Sequence, residues 1–315
     1  MKIAFIGNHS ISFSTESHHA KTFEKLGHTV IRFQENSSSV DAVMKEAVNC
    51  DMLYFTHTHS YRLDTNERMV YMFTELKRLN IPTVGYHLDL FMGIERQKDL
   101  QTDPYWQIEH FFTVDKSMSE FLNANTQIKG YYLPAGVYED ETYMTEPDLN
   151  KFPHEIVFTG SFGYHSEYPY RQKLINWLKE TYGNKFAHYG GGGHPTKRGH
   201  ELNVLYASAK IVIGDTLCKD FNYSNYFSDR AFEVPGRGGF MIFPYIKGIE
   251  EMYDLGKDIA TYTYNDFEGL RKAIDYYLEN NELRESMRLS GHNKVKSTHT
   301  YSHRLTSLLS TLNLK

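Results

Sequence analysis

Short apolar runs alternate with helix-patterned segments along this chain, and the alternation is what most restricts its fold. KIAFIG (2–7), TVIRF (29–33), DMLYF (51–55), TVGYH (83–87), FFTVD (111–115) and GYYLP (130–134) have strand length and are rich in β-branched and aromatic residues. Between them, residues 17–26 carry Ala20, Phe23 and Leu26 at helical spacing and stop at Gly27. Residues 40–48 are helical, and Asp64-x-x-Glu67 reads as a capping box opening a helix to Leu79. Apolar strands separated by helices specify a parallel sheet covered on both faces.

The pattern breaks and then restarts. Residues 136–154 are acidic and Pro-containing with weak periodicity, and read as a linker. EIVFTG (155–160) begins a second series: a helix near 171–182, a strand at 186–189, a helix near 200–207, a strand at 210–214, a helix carrying Glu233, and the strands GGFMIF and DIATYT. Leu305, Leu308, Leu309 and Leu312 fall at i, i+3, i+4 and i+7, giving an amphipathic last helix. The expected architecture is α/β, with two doubly wound Rossmann-like domains over 1–150 and 151–298, and residues 299–315 returning to the first. Ligands of such sheets bind outside the carboxyl ends of the strands.

Composition removes several function classes. A net charge of −5 gives no global attraction to nucleic acid or acidic membranes. Cys50 and Cys218, far apart, form neither a disulfide framework nor a structural zinc site, so a reducing, cytoplasmic setting is expected. MKIAFIG reads as a first strand rather than a signal peptide, and no apolar run reaches the length of a membrane span. His57 and His59 alternate after the third strand, but without a third ligand no metal is expected. The chain holds 24 Tyr and 20 Phe; Tyr164, Tyr168, Tyr170, Tyr223 and Tyr226, near loops, either stack on a sugar or base or serve as partly exposed core.

Candidate chemistry gathers at strand ends. Gly7-Asn8-His9 is not G-x-G-x-x-G, which removes the main support for a hydride-transfer enzyme. The polar loop that follows, with Ser14, Thr15, Glu16 and His18, together with His57, is the candidate acceptor side, against a plain βα loop. His87 and Asp89 lie just past the fourth strand, and Asp89 is the carboxylate best placed for acid/base work, against a loop Asp capping a turn. In the second half, AKIVIGD and SDRAFEVPGRGGFMIF make a βαβ unit with one acidic residue, Glu233, on its helix. A carboxylate there either accepts both ribose hydroxyls or is a solvated Glu on an ordinary helix, and the helix start beside it offers N–H groups to a phosphate. Arg171, Lys197, Arg198 and Arg230 are the cations near strand ends, and a diphosphate needs one or two of them; Arg230, three residues before Glu233, comes first.

The run LYASAKIVIGD, then SDRAFE and GRGGF, resembles the C-terminal half of group 1 glycosyltransferases of the GT-B type, nearest to the spore-maturation-protein-like and phage branch. The likeness is dense from about 156 to 290. It implies that Glu233 binds the donor ribose, with Phe232 beside it, and that Gly238 or Gly239 lets the next strand pack close. It implies that Gly160 and Ser161 form the turn admitting the diphosphate, although the wider family often has a basic residue where Ser161 stands. The family's second Glu, facing the donor sugar, is Asn225 here, with Ser224 nearby. A His like His87 lies against the donor sugar, but His-Leu-Asp replaces the family's His-Asp.

The expected function is therefore a glycosyltransferase acting across a cleft between two facing domains. A sugar would pass from a nucleotide-diphosphate donor, a UDP-sugar first, to an unidentified acceptor hydroxyl. The resemblance implies retention of configuration and no metal or further cofactor. Donor contacts are assigned to Glu233, Arg230, Gly160, Ser161, Phe232, Gly238, Gly239, Lys197 and Arg198. The acceptor is a glycan, a protein or modified DNA. A phage-type enzyme glycosylating a hydroxymethylated base and a catalytically inactive sugar-nucleotide binding module are the alternatives.

Overall fold

The computed structural model describes residues 1–56, 63–90, 97–98, 100, 102–163, 168–191, 193–216 and 223–314. The chain divides into two compact units, Met1–Pro134 with Tyr301–Lys315, and Ala135–Thr300. The division falls ahead of the expected boundary at 150.

The first unit contains β1 (Lys2–Gly7), α1 (Thr15–Lys25), β2 (Thr29–Gln34), α2 (Val40–Ala47), β3 (Met52–Thr56), α3 (Asn66–Arg78), β4 (Thr83–His87), β5 (His110–Thr113), α4 (Lys116–Asn125) and β6 (Lys129–Tyr132). Its strands form one parallel sheet in the order β2-β1-β3-β4-β5-β6. Alternate strand residues supply the two faces. Ala4, Ile6, Leu53, Phe55 and Phe111 pack with Val43, Met72, Phe73, Met118 and Leu122 on one side. On the other, Phe5, Phe23 and Tyr54 meet edge to face, and His19 packs against Tyr86 and Tyr301. Tyr301 opens α10 (Tyr301–Thr311), which buries Leu305, Leu308 and Leu309.

The cap of α3 differs from the expected capping box. Thr65 is its N-cap, accepting from the Arg68 N–H. Asp64 instead accepts from the Thr65 and Val40 N–H groups (2.8 and 3.1 Å), so its carboxylate ties α3 to the start of α2.

The second unit contains β7 (Ile156–Thr159), α5 (Tyr170–Tyr182), β8 (Phe186–Tyr189), α6 (Gly199–Ser208), β9 (Ile211–Ile213), α7 (Arg230–Gly236), β10 (Met241–Pro244), β11 (Ala260–Tyr262), α8 (Phe267–Glu279) and α9 (Asn281–Thr298). All its strands are parallel, in the order β11-β10-β9-β7-β8. The order reverses between β7 and β9, and a doubly wound sheet offers its ligand crevice at such a point.

Residues 136–154, read from sequence as a linker, are pinned to the second unit. The Val137 N–H donates to His299 O (3.2 Å), the Asp148 N–H to Ser208 Oγ (2.8 Å), and Phe152 is buried. Weak periodicity here reflects side-chain anchoring in place of a regular ladder.

Candidate functional site

The second sheet builds a cationic turn at the end of β7. Gly160 follows the strand at φ +126, a conformation that excludes other side chains, and a Cβ there would strike the guanidinium of Arg230. His188, on the neighbouring β8, hydrogen-bonds Gly160 O through Nε2 at 2.6 Å. Burial, with help from Lys179, Arg171 and Arg230, lowers the His188 pKa, so the ring is neutral and donates from that nitrogen.

Two arginines flank it. Arg171, in the first turn of α5, donates through Nε to Asp215 Oδ2 at 2.9 Å, and both side chains are buried (6% and 1% exposed). Its Nη1 lies 3.5 Å from Ser161 Oγ. Asp215 stands just after β9, which pairs with β7 through Ile156–Ile211 and Val157–Val212. That pairing brings residues 44 apart in sequence into one ion pair. Arg230 opens α7 and donates through Nη1 to the backbone carbonyl of Asp215 at 3.2 Å. The two guanidinium carbons lie 5.8 and 5.2 Å from the Phe158 ring centroid. Burial, and then the charge of Arg171, lowers the Arg230 pKa. Among the described residues, the buried Asp215 carboxylate pairs with Arg171, while Arg230 bonds only the backbone carbonyl of Asp215 and forms no ion pair.

Glu233 lies one turn after Arg230, half-buried, with Oε1 3.3 Å from Arg237 Nε. Three N–H groups near the start of α7, where an anion site was expected, are engaged within the turn itself. The Ala231 N–H donates to Ser228 O, and the Phe232 and Glu233 N–H groups donate to Asp229 O (2.9, 2.9 and 2.8 Å).

The structure gives the other expected donor residues these surroundings. Phe232 is fully buried against Tyr253 and His299 and anchors α7. Gly238 gives its carbonyl to Arg288 Nη1 (3.0 Å). A Cβ on Gly239 would come 2.9 Å from Val234 Cγ1 and 3.2 Å from both Tyr206 Cβ and Val212 Cγ2, so its absence lets α7 and β10 close on α6 and β9. Lys197 pairs with Glu201 (3.1 Å), which also holds Lys151 (2.8 Å), while Arg198 is exposed at the N-cap of α6. Asn225 is buried in a left-handed conformation (φ 54) beside Gly248 and Glu251. Tyr168, Tyr170 and Tyr226 are buried, as the core alternative requires. Tyr164 and Cys218 lie outside the described residues.

In the first unit, His87 is buried at the end of β4, its ring stacked 6.2 Å from that of Phe111, and Asp89 is half-buried two residues on. Ser14 caps α1, accepting from the Ser17 N–H (3.1 Å) and donating to Asn8 O (2.6 Å). Thr15 is half-buried, and Glu16 and His18 are buried. His57 and His59 lie outside the described residues. Among the described residues no group of three or more His, Cys, Asp or Glu side chains is gathered as a metal site, and no helix is long and apolar enough to cross a membrane.

Sequence reasoning missed Asp215 and Arg237 as parts of the site. AKIVIGD reads as a strand ending in Asp215, and nothing in it names the partner of that carboxylate.

Residues 171–310 match the family described as glycosyl transferase-like. No curated protein matches the chain by sequence. Among solved structures, HepE from Anabaena in complex with UDP and glucose is similar at 12% identity and TM-score 0.70, covering 99% of each chain. An alpha-glucosyltransferase in complex with UDP-glucose and DNA containing an abasic site is similar at 12% identity and TM-score 0.73, again over 99% of each. The sucrose-phosphate synthase of Thermosynechococcus elongatus follows at 10%, TM-score 0.63 and 99% of each chain. Over residues 171–310 the chain is similar to the glycosyl transferase-like family, and its two parallel sheets have the GT-B fold of these neighbours.

Proposed function

We propose that the chain transfers a sugar from a nucleoside-diphosphate donor, a UDP-sugar, to an acceptor hydroxyl. The observation that carries this is the pair Arg171 and Arg230 at the β7 turn, with one buried carboxylate paired to Arg171 and Glu233 one helical turn from Arg230. A diphosphate supplies the missing negative charge, and Glu233 offers acceptors to vicinal ribose hydroxyls. As the bond from the anomeric carbon to the phosphate oxygen breaks, charge grows on the leaving diphosphate, and two preorganised guanidiniums stabilise it. UDP and UDP-glucose in neighbours of the same fold support a uridine donor. Retention of configuration, and independence from a metal ion, are the outcomes the family resemblance implies. Asp89 is the proposed base for the acceptor hydroxyl.

A thermal-shift series with UDP, GDP, ADP and dTDP tests the donor site, since a ligand bound only by the folded state raises its stability by mass action. UDP should raise the midpoint, and Glu233→Ala should weaken UDP by about 2–4 kcal/mol through loss of charge-assisted bonds. Unchanged affinity in that variant would remove Glu233 from the donor site. Release of UDP from UDP-glucose separates an enzyme from a binding module, and the anomer in the product, read by NMR, tests retention.

A further inference from the structure

We infer that Arg237, braced by Glu141, is a positioning residue that sets the Glu233 carboxylate for the ribose hydroxyls and so fixes a preference for ribonucleotide donors. The inference rests on the donor site proposed above and adds residues that the family resemblance does not supply.

Arg237 is 4% exposed at the C-terminal end of α7, with its guanidinium held on several sides. Nη1 donates to Gly199 O (3.1 Å) and to Asn203 Oδ1 (2.7 Å), and Nη2 is paired with Glu141. Asn203 is itself fixed, donating through Nδ2 to Glu141 O and Tyr143 O, both at 2.9 Å. The frame therefore combines α6, α7 and the segment around Glu141 that precedes β7.

The remaining nitrogen does something different. Nε faces Glu233 Oε1 at 3.3 Å without an aligned hydrogen bond. Attraction thus holds the carboxylate in place while its lone pairs stay available. A carboxylate has about four acceptor sites, and a ribose diol needs two of them. A directly hydrogen-bonded, bidentate arginine would have used those acceptors. An exposed Glu with no partner would give up side-chain entropy on binding the diol.

The test is the ratio of dissociation constants for 2′,3′-dideoxy-UDP and UDP, measured calorimetrically. General loosening of the site weakens both ligands alike, whereas loss of positioning removes only the hydroxyl-dependent part. Wild type should prefer UDP by about tenfold to a hundredfold, the worth of charge-assisted bonds to the diol. Arg237→Met combined with Glu141→Gln removes the cation without stranding Glu141. In that variant the preference should fall to within about threefold, with dideoxy-UDP binding nearly as in wild type. Arg237→Lys keeps the charge but cannot span the same partners, and should give an intermediate ratio. A wild-type ratio in either folded variant overturns the positioning role while leaving the donor site intact. A wild type that binds UDP with no preference over the dideoxy analogue, or does not bind UDP, overturns the donor assignment and this inference together.

Discussion

Arg171→Met and Arg230→Met make the same chemical change on the two sides of one turn, and the structure assigns them opposite costs. Arg171 is the only ion-pair partner, among the described residues, of a carboxylate that is 1% exposed. The other oxygen of Asp215 is buried and has no hydrogen-bond partner among the described residues. Removing Arg171 leaves that charge buried and uncompensated, at a cost of about 3–5 kcal/mol. Arg230 gives up one charge-assisted bond to a carbonyl and a ring contact, together about 2–3 kcal/mol. Against that, its loss relieves the burial of an unpaired cation and its repulsion by Arg171, the two causes that lower its pKa. These effects oppose one another, so Arg230→Met should cost less stability than Arg171→Met.

Binding should follow the other order. Arg230→Met should weaken UDP by about a hundredfold or more, because two charge-assisted bonds to the diphosphate are lost. Urea denaturation followed by circular dichroism gives the stabilities, and titration calorimetry gives the affinities. Replacing both members of the buried pair, Arg171→Met with Asp215→Leu, should recover most of the stability lost in the single variant, since no lone charge is left behind. An Arg171→Met protein as stable as wild type would refute the reasoning, as would an Arg230→Met protein destabilised by more than about 3 kcal/mol with UDP affinity intact.

Gly239→Ala should lower stability by about 1–3 kcal/mol, read from the urea midpoint, because the added methyl meets Val234, Tyr206 and Val212 at 2.9–3.2 Å. His19 is buried and its pKa is held down to about 3 by burial and by His18, against 6.5 ordinarily. The unfolded chain therefore binds a proton that the folded chain refuses, so stability falls as pH drops from 6.5 toward 3, by about 2 kcal/mol at pH 5. His19→Phe should remove that part of the loss between pH 7 and pH 5, and an unchanged difference would assign the acid sensitivity to other groups. Asp89→Asn should lower turnover far more than donor affinity if Asp89 acts in the chemical step, and equal losses in kcat and affinity would mark it as a positioning group.

The fold was legible because each strand is a short apolar run of β-forming residues, and all six strands of the first unit fall on runs visible in the sequence. The helices α4, α8 and α9 were not, for a physical reason. α4 buries little beyond Met118 and Leu122, and α8 buries Leu270 and Ile274 alone. The packed face of α9 consists of Arg284, Met287, Gly291, His292 and Val295, which no apolar period can reveal. Of the residues around the β7 turn proposed as the donor site, Gly160, Arg230 and Glu233 could be named because motif position points to them. Asp215 with Arg171, and Arg237 with Glu141, could not, because partners 44 and 96 residues apart meet only through strand pairing and side-chain anchoring. Phe232 was assigned to the ligand because it neighbours Glu233, yet adjacent residues on a helix point about 100° apart, and this one faces the core.

The two sheets share a strand order at the point of reversal, β2-β1-β3 in the first and β8-β7-β9 in the second, but they treat the turn there differently. In the first, Glu16 lies over Gly7 so closely that a Cβ would come 2.7 Å from Glu16 Cγ. The loop is closed on itself: the backbone N–H groups of His9 and Ser10 both donate to Gln34 Oε1, at 2.8 and 2.9 Å. Two amides of this turn are therefore occupied, and the Glu16 side chain lies over it. In the second, Gly160 is bare toward Arg230, and the buried charge beside it is positive in excess. Equal topology offers two crevices, and the side chains decide between them. On the proposed function, a diphosphate would be repelled from the first by Glu16 and drawn to the second by Arg171 and Arg230, which is why we assign the donor phosphates to the second unit.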